Sequence, residues 1–220
     1  MYTLIVGTQD WSSWSLRPYL ALMATGAPFE MEVIGLRVVP TSRETILKHS
    51  PAGKVPVLKF TEGGKAQTVW DSLAICETLA ERHPERGLWP ADADLRARAR
   101  SYAAEMHSGF PDLRNQLTMD FARTLPLPEL TPETRSQIDR IIAAWDEALT
   151  ASGNGFLFGD FSIADCMYAP VVSRFTTYGV EVPERVKHYM DKIWALPGMQ
   201  NWLKASQKEV AAGLTTCPSP

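Results

Sequence analysis

Hydrophobic and polar positions divide this chain into two unlike parts. In the first third, short apolar runs alternate with helical patterns. Tyr2–Val6 reads as a strand, Ser15–Thr25 as a helix stopped by Gly26 and Pro28, and Phe29–Ile34 as a second strand. Ser42–His49 is a short helix candidate ahead of Ser50-Pro51. Val57–Phe60 and Gln67–Val69 flank Glu62-Gly63-Gly64-Lys65, and a glycine pair between two short strands predicts a hairpin. Ser72–Arg82 follows as a helix, with Asp71 or Ser72 at its cap. The order is β-α-β-α-β-β-α. The first βαβ unit implies parallel pairing, and the hairpin supplies an antiparallel edge.

The stretch from His83 to Pro90 carries two prolines and a glycine and reads as a linker. Beyond Asp92 no strand is expected. One long helical pattern covers Ala93–Thr124, with a bend expected near Gly109 and Pro111. Further helices are expected over Pro132–Ala151, Ser162–Tyr178, Pro183–Leu196 and Gly198–Ala211, before a frayed tail from Thr215 to Pro220. In the first of these, Ile138, Ile141, Ile142, Trp145 and Leu149 fall on one side at helical spacing. The expected division is an α/β domain over residues 1–83, a linker over 84–92 and an all-helical domain over 93–220.

Composition narrows the function classes. Of the 220 residues, 45% are hydrophobic, enough for a sizeable core. The net charge of −3, with no basic run, argues against nucleic-acid and anionic-membrane partners. No apolar stretch approaches the ~20 residues that span a bilayer. The N-terminus lacks signal-peptide character, so a cytoplasmic location is expected. Cys76, Cys166 and Cys217 are far apart, and His49, His83, His107 and His188 show no ligand spacing. Neither a disulfide framework nor a metal site is expected.

The chemistry-bearing residues sit at element boundaries. Trp11-Ser12-Ser13-Trp14-Ser15-Leu16-Arg17-Pro18 lies where the first strand gives way to the first helix. Hydroxyls and unpaired N–H groups at a helix start can hold an anion such as a thiolate. Ser15 also reads as a plain cap, with Pro18 in the first turn. In Lys54-Val55-Pro56 a proline immediately precedes a strand; a cis bond there exposes the Val55 backbone to a ligand, and a trans bond is the ordinary alternative. Asp71-Ser72 either caps a helix or receives an amino acid head group, Asp71 for the ammonium and Ser72 for the carboxylate. Ser162 and Asp165 form a capping box and are assigned to folding.

Serines after the first strand, Lys-Val-Pro before the third, Asp-Ser-Leu-Ala-Ile opening the third helix and Phe-Ser-Ile-Ala-Asp in the helical part occur in that order. The set resembles the cytosolic glutathione S-transferase family over about Tyr2 to Ala211, most closely its serine-type, zeta-like branches as a bacterial-type member. The resemblance implies a thioredoxin-like domain followed by an all-α domain, and a homodimer. It implies glutathione as co-substrate, no permanently bound cofactor, and a small electrophile as second substrate in a detoxification reaction. Ser12 falls on the catalytic serine, with Ser13 and Ser15 on the neighbouring helix-start serines and Arg17 on the motif's arginine. Trp14 stands where the zeta pattern has cysteine. Lys54, Val55, Pro56, Asp71 and Ser72 fall on the glutathione site, Lys54 also reading as a surface lysine.

The implied mechanism is stabilisation of the glutathione thiolate by the Ser12 hydroxyl and the helix N-terminus. Glutathione-dependent isomerisation of the maleylacetoacetate kind, dehalogenation, and a non-catalytic glutathione-binding role are the alternatives. Trp14 with Tyr102, Met106 and Phe110, the last three at four-residue spacing, are candidates for the electrophile wall; ordinary core is the competing reading of the three. Arg114 and Arg174 read either as surface salt-bridge partners or as a grip on an acidic co-substrate.

Overall fold

The computed structural model describes residues 1–37, 41–153 and 155–215. Cys217 and all of the expected frayed tail except Thr215 lie outside the described residues. Strand β1 (Tyr2–Gly7) pairs in parallel with β2 (Phe29–Ile34) and antiparallel with β3 (Val57–Glu62). The hairpin places β4 (Lys65–Trp70) at the other edge, giving the order β2-β1-β3-β4. Leu4 pairs with Leu58 and Ile5 with Val57. Because side chains alternate along a strand, Leu4, Val6 and Leu58 join the main core, while Ile5 and Val57 join Ile34 and Ile46 in a separate cluster. The main core brings in α1 (Ser13–Thr25) and α3 (Ser72–Arg82); the separate cluster brings in α2 (Thr41–Leu47).

Helix α1 begins two residues earlier than the sequence predicts. Pro18 therefore lies in its second turn and not its first, where its missing N–H costs the bond that would go to the Trp14 carbonyl. The helix ends at Gly26, whose left-handed φ of 68° closes the last turn.

Past a short 3₁₀ turn at Pro84–Arg86, the rest of the chain is helical: α4 (Ala93–Ser108), α5 (Pro111–Gln116), α6 (Pro132–Ser152), α7 (Ile163–Tyr178), α8 (Glu184–Ala195) and α9 (Pro197–Ala211). The single pattern expected over Ala93–Thr124 is thus two helices and an irregular strap. Gly109 closes α4, and a Cβ there would meet the Glu105 carbonyl oxygen at 2.7 Å. Phe110 is left-handed and Pro111 lacks an N–H, so the helix restarts in a new direction. Beyond Leu117 several amides find partners far along the chain and not four residues back. Phe121 N–H donates to the Asp10 carbonyl (3.1 Å), Ala122 N–H to Asp10 Oδ1 (3.0 Å) and Leu125 N–H to the Thr177 carbonyl (2.8 Å).

Helix α7 is the central post of the helical part, almost wholly buried. The predicted stripe on α6 enters the same core, with Ile138, Ile141, Trp145 and Leu149 buried and Ile142 half-buried. The Trp145 ring meets Tyr168 at 5.5 Å, Phe175 at 5.6 Å and Tyr189 at 5.2 Å, tying α6 to α7 and α8. At the start of α7 the Asp165 carboxylate accepts from the Ser162 N–H (2.9 Å), the Ser162 hydroxyl (3.0 Å) and the Leu157 N–H (3.1 Å). Helices α1 and α7 also pack together, so α1 joins the sheet to the helical part. No helix among the described residues is long and apolar enough to cross a membrane. Cys76 and Cys166 are free and buried.

Candidate functional site

A cavity of about 550 Å³ opens beside the start of α1. Its wall includes Trp11, Ser12, Trp14, Lys54, Val55, Pro56, Trp70, Asp71 and Ser72. One cavity therefore gathers residues from three separate strand-to-helix or loop-to-strand junctions. In α/β sheets such junctions are where ligands bind.

Ser12 is the N-cap residue of α1, yet its side chain caps nothing. Its hydroxyl instead donates to Ser15 Oγ at 2.7 Å, and Ser15 Oγ accepts the Gly7 N–H at 3.1 Å. This corrects the reading of Ser15 as the cap: it lies inside the helix, fully buried, and ties the helix to the end of β1. Ser15 reaches the cavity only through Ser12. Ser13 is buried and does not line the cavity. In the first turn the Ser13 N–H goes to the Trp11 carbonyl, and those of Ser15 and Leu16 both go to the Ser12 carbonyl. The Trp14 N–H is left without a carbonyl partner among the described residues, next to the Ser12 hydroxyl. An anion at this point meets an open amide and the positive end of the helix.

The Val55–Pro56 bond is cis. Val55 lines the cavity beside Lys54 and Pro56. Across from it, Asp71 occupies a left-handed position (φ 76°). Asp71 Oδ1 accepts from the Leu73 N–H (2.9 Å) and the Ala74 N–H (3.4 Å), so Asp71 does cap α3. Its Oδ2 remains, and lies 3.3 Å from His107 Nε2 on α4. The Ser72 hydroxyl is buried, lines the cavity and has no hydrogen-bond partner among the described residues. An unpartnered buried hydroxyl costs stability unless a ligand satisfies it.

Trp14 is held from several sides. The Arg17 guanidinium sits 4.3 Å from its ring centroid, the Arg114 guanidinium 4.7 Å, and the His107 ring meets it edge-on at 5.3 Å. Arg17 is fully buried. Its Nε donates to the Met167 carbonyl on α7 (3.2 Å), while both terminal nitrogens lack hydrogen-bond partners among the described residues. Burial first, then the charges of Arg114 and Arg174, push its pKa well down. Burial also lowers the pKa of His107, so the ring is neutral near pH 7, with its Nε2 3.3 Å from Asp71 Oδ2. The sequence reading missed His107, which lies one residue from Met106 in the stripe it singled out. Helical geometry turns Met106 inward and His107 towards Trp14 and Asp71.

Tyr102, Met106 and Phe110 do not form the expected wall. All three are buried in the main core and absent from the cavity lining. The Tyr102 hydroxyl donates to the Ala144 carbonyl of α6 at 3.3 Å, and its ring packs edge-on against Phe158. Tyr102 thus ties α4 to α6, while Met106 and Phe110 belong to the core. Arg114 and Arg174 are not surface salt-bridge residues either: among the described residues no carboxylate pairs with them, and Arg174 is buried.

Two family models match the chain: the glutathione S-transferase N-terminal domain over residues 11–82 and the C-terminal domain over 128–205. The chain belongs to the glutathione S-transferase family. A zeta-class glutathione S-transferase of Euphorbia esula is 27% identical over 204 residues, covering 90% of this chain and 88% of the relative. A glutathione transferase homologue from Burkholderia gl BGR1, solved with bound glutathione, superposes with a TM-score of 0.71 at 25% identity, over 94% of this chain and 98% of that one. A maleylacetoacetate isomerase from Anaeromyxobacter dehalogenans, with bound glutathione in its active site, gives a TM-score of 0.67 at 27% identity, over 91% and 94%. The fold of this glutathione S-transferase is accordingly a thioredoxin-like N-terminal domain followed by a helical one.

Proposed function

We propose that the cavity beside Ser12 binds glutathione, and that the protein joins glutathione through its sulfur to a small electrophile. The observation that carries this is the meeting of the Ser12 hydroxyl and the open Trp14 N–H with the Val55 backbone, Asp71 and the unpartnered Ser72 hydroxyl in one cavity. The glutathione-bound family structures support the same reading.

In this arrangement Ser72 and the start of α3 hold the γ-glutamyl carboxylate, and Asp71 holds its ammonium. Val55 pairs with the cysteinyl backbone, and Lys54 reaches the glycyl carboxylate. A cysteine-type thiol has a pKa of about 8.5, so at neutral pH most of it is protonated and unreactive. Ser12 lowers that value by donating to the sulfur. Reversal of its present bond makes this inexpensive. Ser15, fixed by Gly7, donates to Ser12 Oγ, and Ser12 turns its own proton to the thiolate. The thiolate then attacks the electrophile while the leaving group departs, and Ser12 forms no covalent bond. We further propose a cytoplasmic homodimer with residues 84–92 as its interdomain linker.

The similarity to the maleylacetoacetate isomerase supports a second reading, in which glutathione adds and is later expelled. Retention on immobilised glutathione, followed by an assay of thiol consumption, tests both. Stoichiometric loss of thiol with product supports the transferase, and product with thiol regenerated supports the isomerase. A protein that is not retained contradicts glutathione binding.

A further inference from the structure

The turn that delivers Ser12 to the cavity is held from the other end of the chain. The Thr8 carbonyl accepts the N–H groups of Trp11 (3.2 Å) and Ser12 (2.8 Å), which makes one helical turn ahead of α1. The first donors of such a turn, the Gln9 and Asp10 N–H groups, have no acceptor within it. Glu209, near the end of α9, serves both: Gln9 N–H donates to its Oε1 and Asp10 N–H to its Oε2, each at 2.9 Å. Helix α9 also grips the other side of the Gln9–Asp10 peptide, since Trp202 Nε1–H donates to the Gln9 carbonyl at 2.7 Å. The strap holds Asp10 through the Phe121 and Ala122 amides, and Arg123 Nη1 lies 3.2 Å from Asp10 Oδ2. On the far side of Ser12, the Trp202 ring lies 4.9 Å from that of Tyr19 on α1. Close by, a Cβ on Gly198 would meet Leu20 Cδ2 at 2.8 Å. Helix α9 therefore fixes the chain both before and after Ser12, although neither Glu209 nor Trp202 lines the Ser12 cavity.

We propose that Glu209 is a positioning residue for thiolate stabilisation: by holding the Gln9–Asp10 turn, it aims the Ser12 hydroxyl at the glutathione sulfur. The inference rests on the reading of Ser12 given above. Two successive N–H groups match the two oxygens of one carboxylate, and charge-assisted bonds of this kind are the strong ones. The Ser12 side chain can turn from Ser15 to the sulfur only about a fixed backbone, and the Ser12 N–H belongs to the turn that Glu209 holds. A hydrogen bond weakens steeply as its donor is displaced or misaligned, so a loosened turn costs the sulfur its donor while leaving Val55, Asp71 and Ser72 in place. The sign of the effect separates positioning from charge. Removing a nearby negative charge by itself favours the thiolate and lowers the thiol pKa, whereas losing the Ser12 donor raises it.

The test titrates the bound glutathione thiol by thiolate absorbance in the full chain, comparing wild type, Glu209→Ala, Glu209→Gln, Ser12→Ala and the Ser12→Ala/Glu209→Ala double variant. Binding of S-methylglutathione, which has no thiol to ionise, is measured on each by calorimetry. Glu209→Ala is expected to raise the pKa of the bound thiol by about half a unit, a roughly three-fold loss of thiolate below that pKa. Glu209→Gln keeps the length of the side chain and one acceptor; it should shift the thiol in the same direction and keeps the test alive if the alanine variant fails to fold. S-methylglutathione affinity should stay within about two-fold in both, since its own contacts are untouched. In the Ser12→Ala background, Glu209→Ala should raise the thiol pKa no further, because Glu209 acts through Ser12. A thiol pKa unchanged or lowered in the Glu209 variants overturns the inference. So does an equal rise with and without Ser12, or a loss of S-methylglutathione binding as large as the loss of thiolate. If Ser12→Ala shifts the thiol and the Glu209 variants do not, the positioning role falls and the glutathione reading stands. If Ser12→Ala itself leaves the thiol unshifted, the reading of Ser12 falls and takes the positioning role with it.

Discussion

Replacing Ser15 with alanine asks whether this serine works in the fold or in the chemistry. The Ser15 Oγ is fully buried and accepts the Gly7 N–H at 3.1 Å, at the buried end of β1. Alanine leaves that amide without an acceptor, at a cost of about 1–3 kcal/mol. The Ser12 hydroxyl also loses its partner, but it borders the cavity and water can serve it. Against this, alanine is the better helix former by about 0.5 kcal/mol. The net expectation is a loss of about 1.5 kcal/mol. For a chain of this length that lowers the Tm by roughly 3–6 °C at fixed protein concentration. Ser13→Ala is the control, since the Ser13 hydroxyl makes no hydrogen bond among the described residues, and it should stay within about 0.5 kcal/mol of wild type. Urea titrations read both variants. A Ser15→Ala protein within about 0.5 kcal/mol of wild type would refute the assignment of Ser15 to the β1–α1 tie.

Three further outcomes follow from the same geometry. Ser72→Ala removes a hydroxyl that has no partner, so urea stability should hold or rise slightly while glutathione affinity falls about five- to ten-fold; unchanged affinity by calorimetry would remove Ser72 from the site. Burial holds the His107 pKa below 6.5, so just under that pH the unfolded chain binds more protons and stability declines as pH falls. His107→Gln should flatten that decline as the pH falls through about 6.5, and an unaltered slope would show that His107 does not titrate as described. Asp165→Ala strips the acceptor from two buried amides and the Ser162 hydroxyl and should cost on the order of 3 kcal/mol; a Tm within a few degrees of wild type would contradict the role of the box.

What was legible in the sequence was local. The βαββ core, the hairpin at Gly63-Gly64 and the Asp71 cap each follow from residues within a few positions of one another. The ordered motifs likewise identify the family and its fold. What was not legible depends on long-range partners. Residues 117–124 keep a helical pattern, yet Asp10, more than a hundred residues earlier, takes the Phe121 and Ala122 amides. Trp14 reads as a bulky departure from the zeta pattern; its role emerges only when α4 and α5 bring His107 and Arg114 against it. The Tyr102-Met106-Phe110 stripe was recognised as apolar, but spacing alone does not tell a cavity wall from a helix contact.

The central claim is that Ser12 holds a bound glutathione sulfur as the thiolate. Its most direct test is titration of the bound thiol, followed by the ultraviolet absorbance of thiolate, in wild type and in Ser12→Ala at saturating glutathione. The wild-type complex should titrate below the free value of about 8.5, and Ser12→Ala should raise the bound value by about one unit, equivalent to about 1.4 kcal/mol. A bound thiol that titrates identically in the two proteins would contradict the claim.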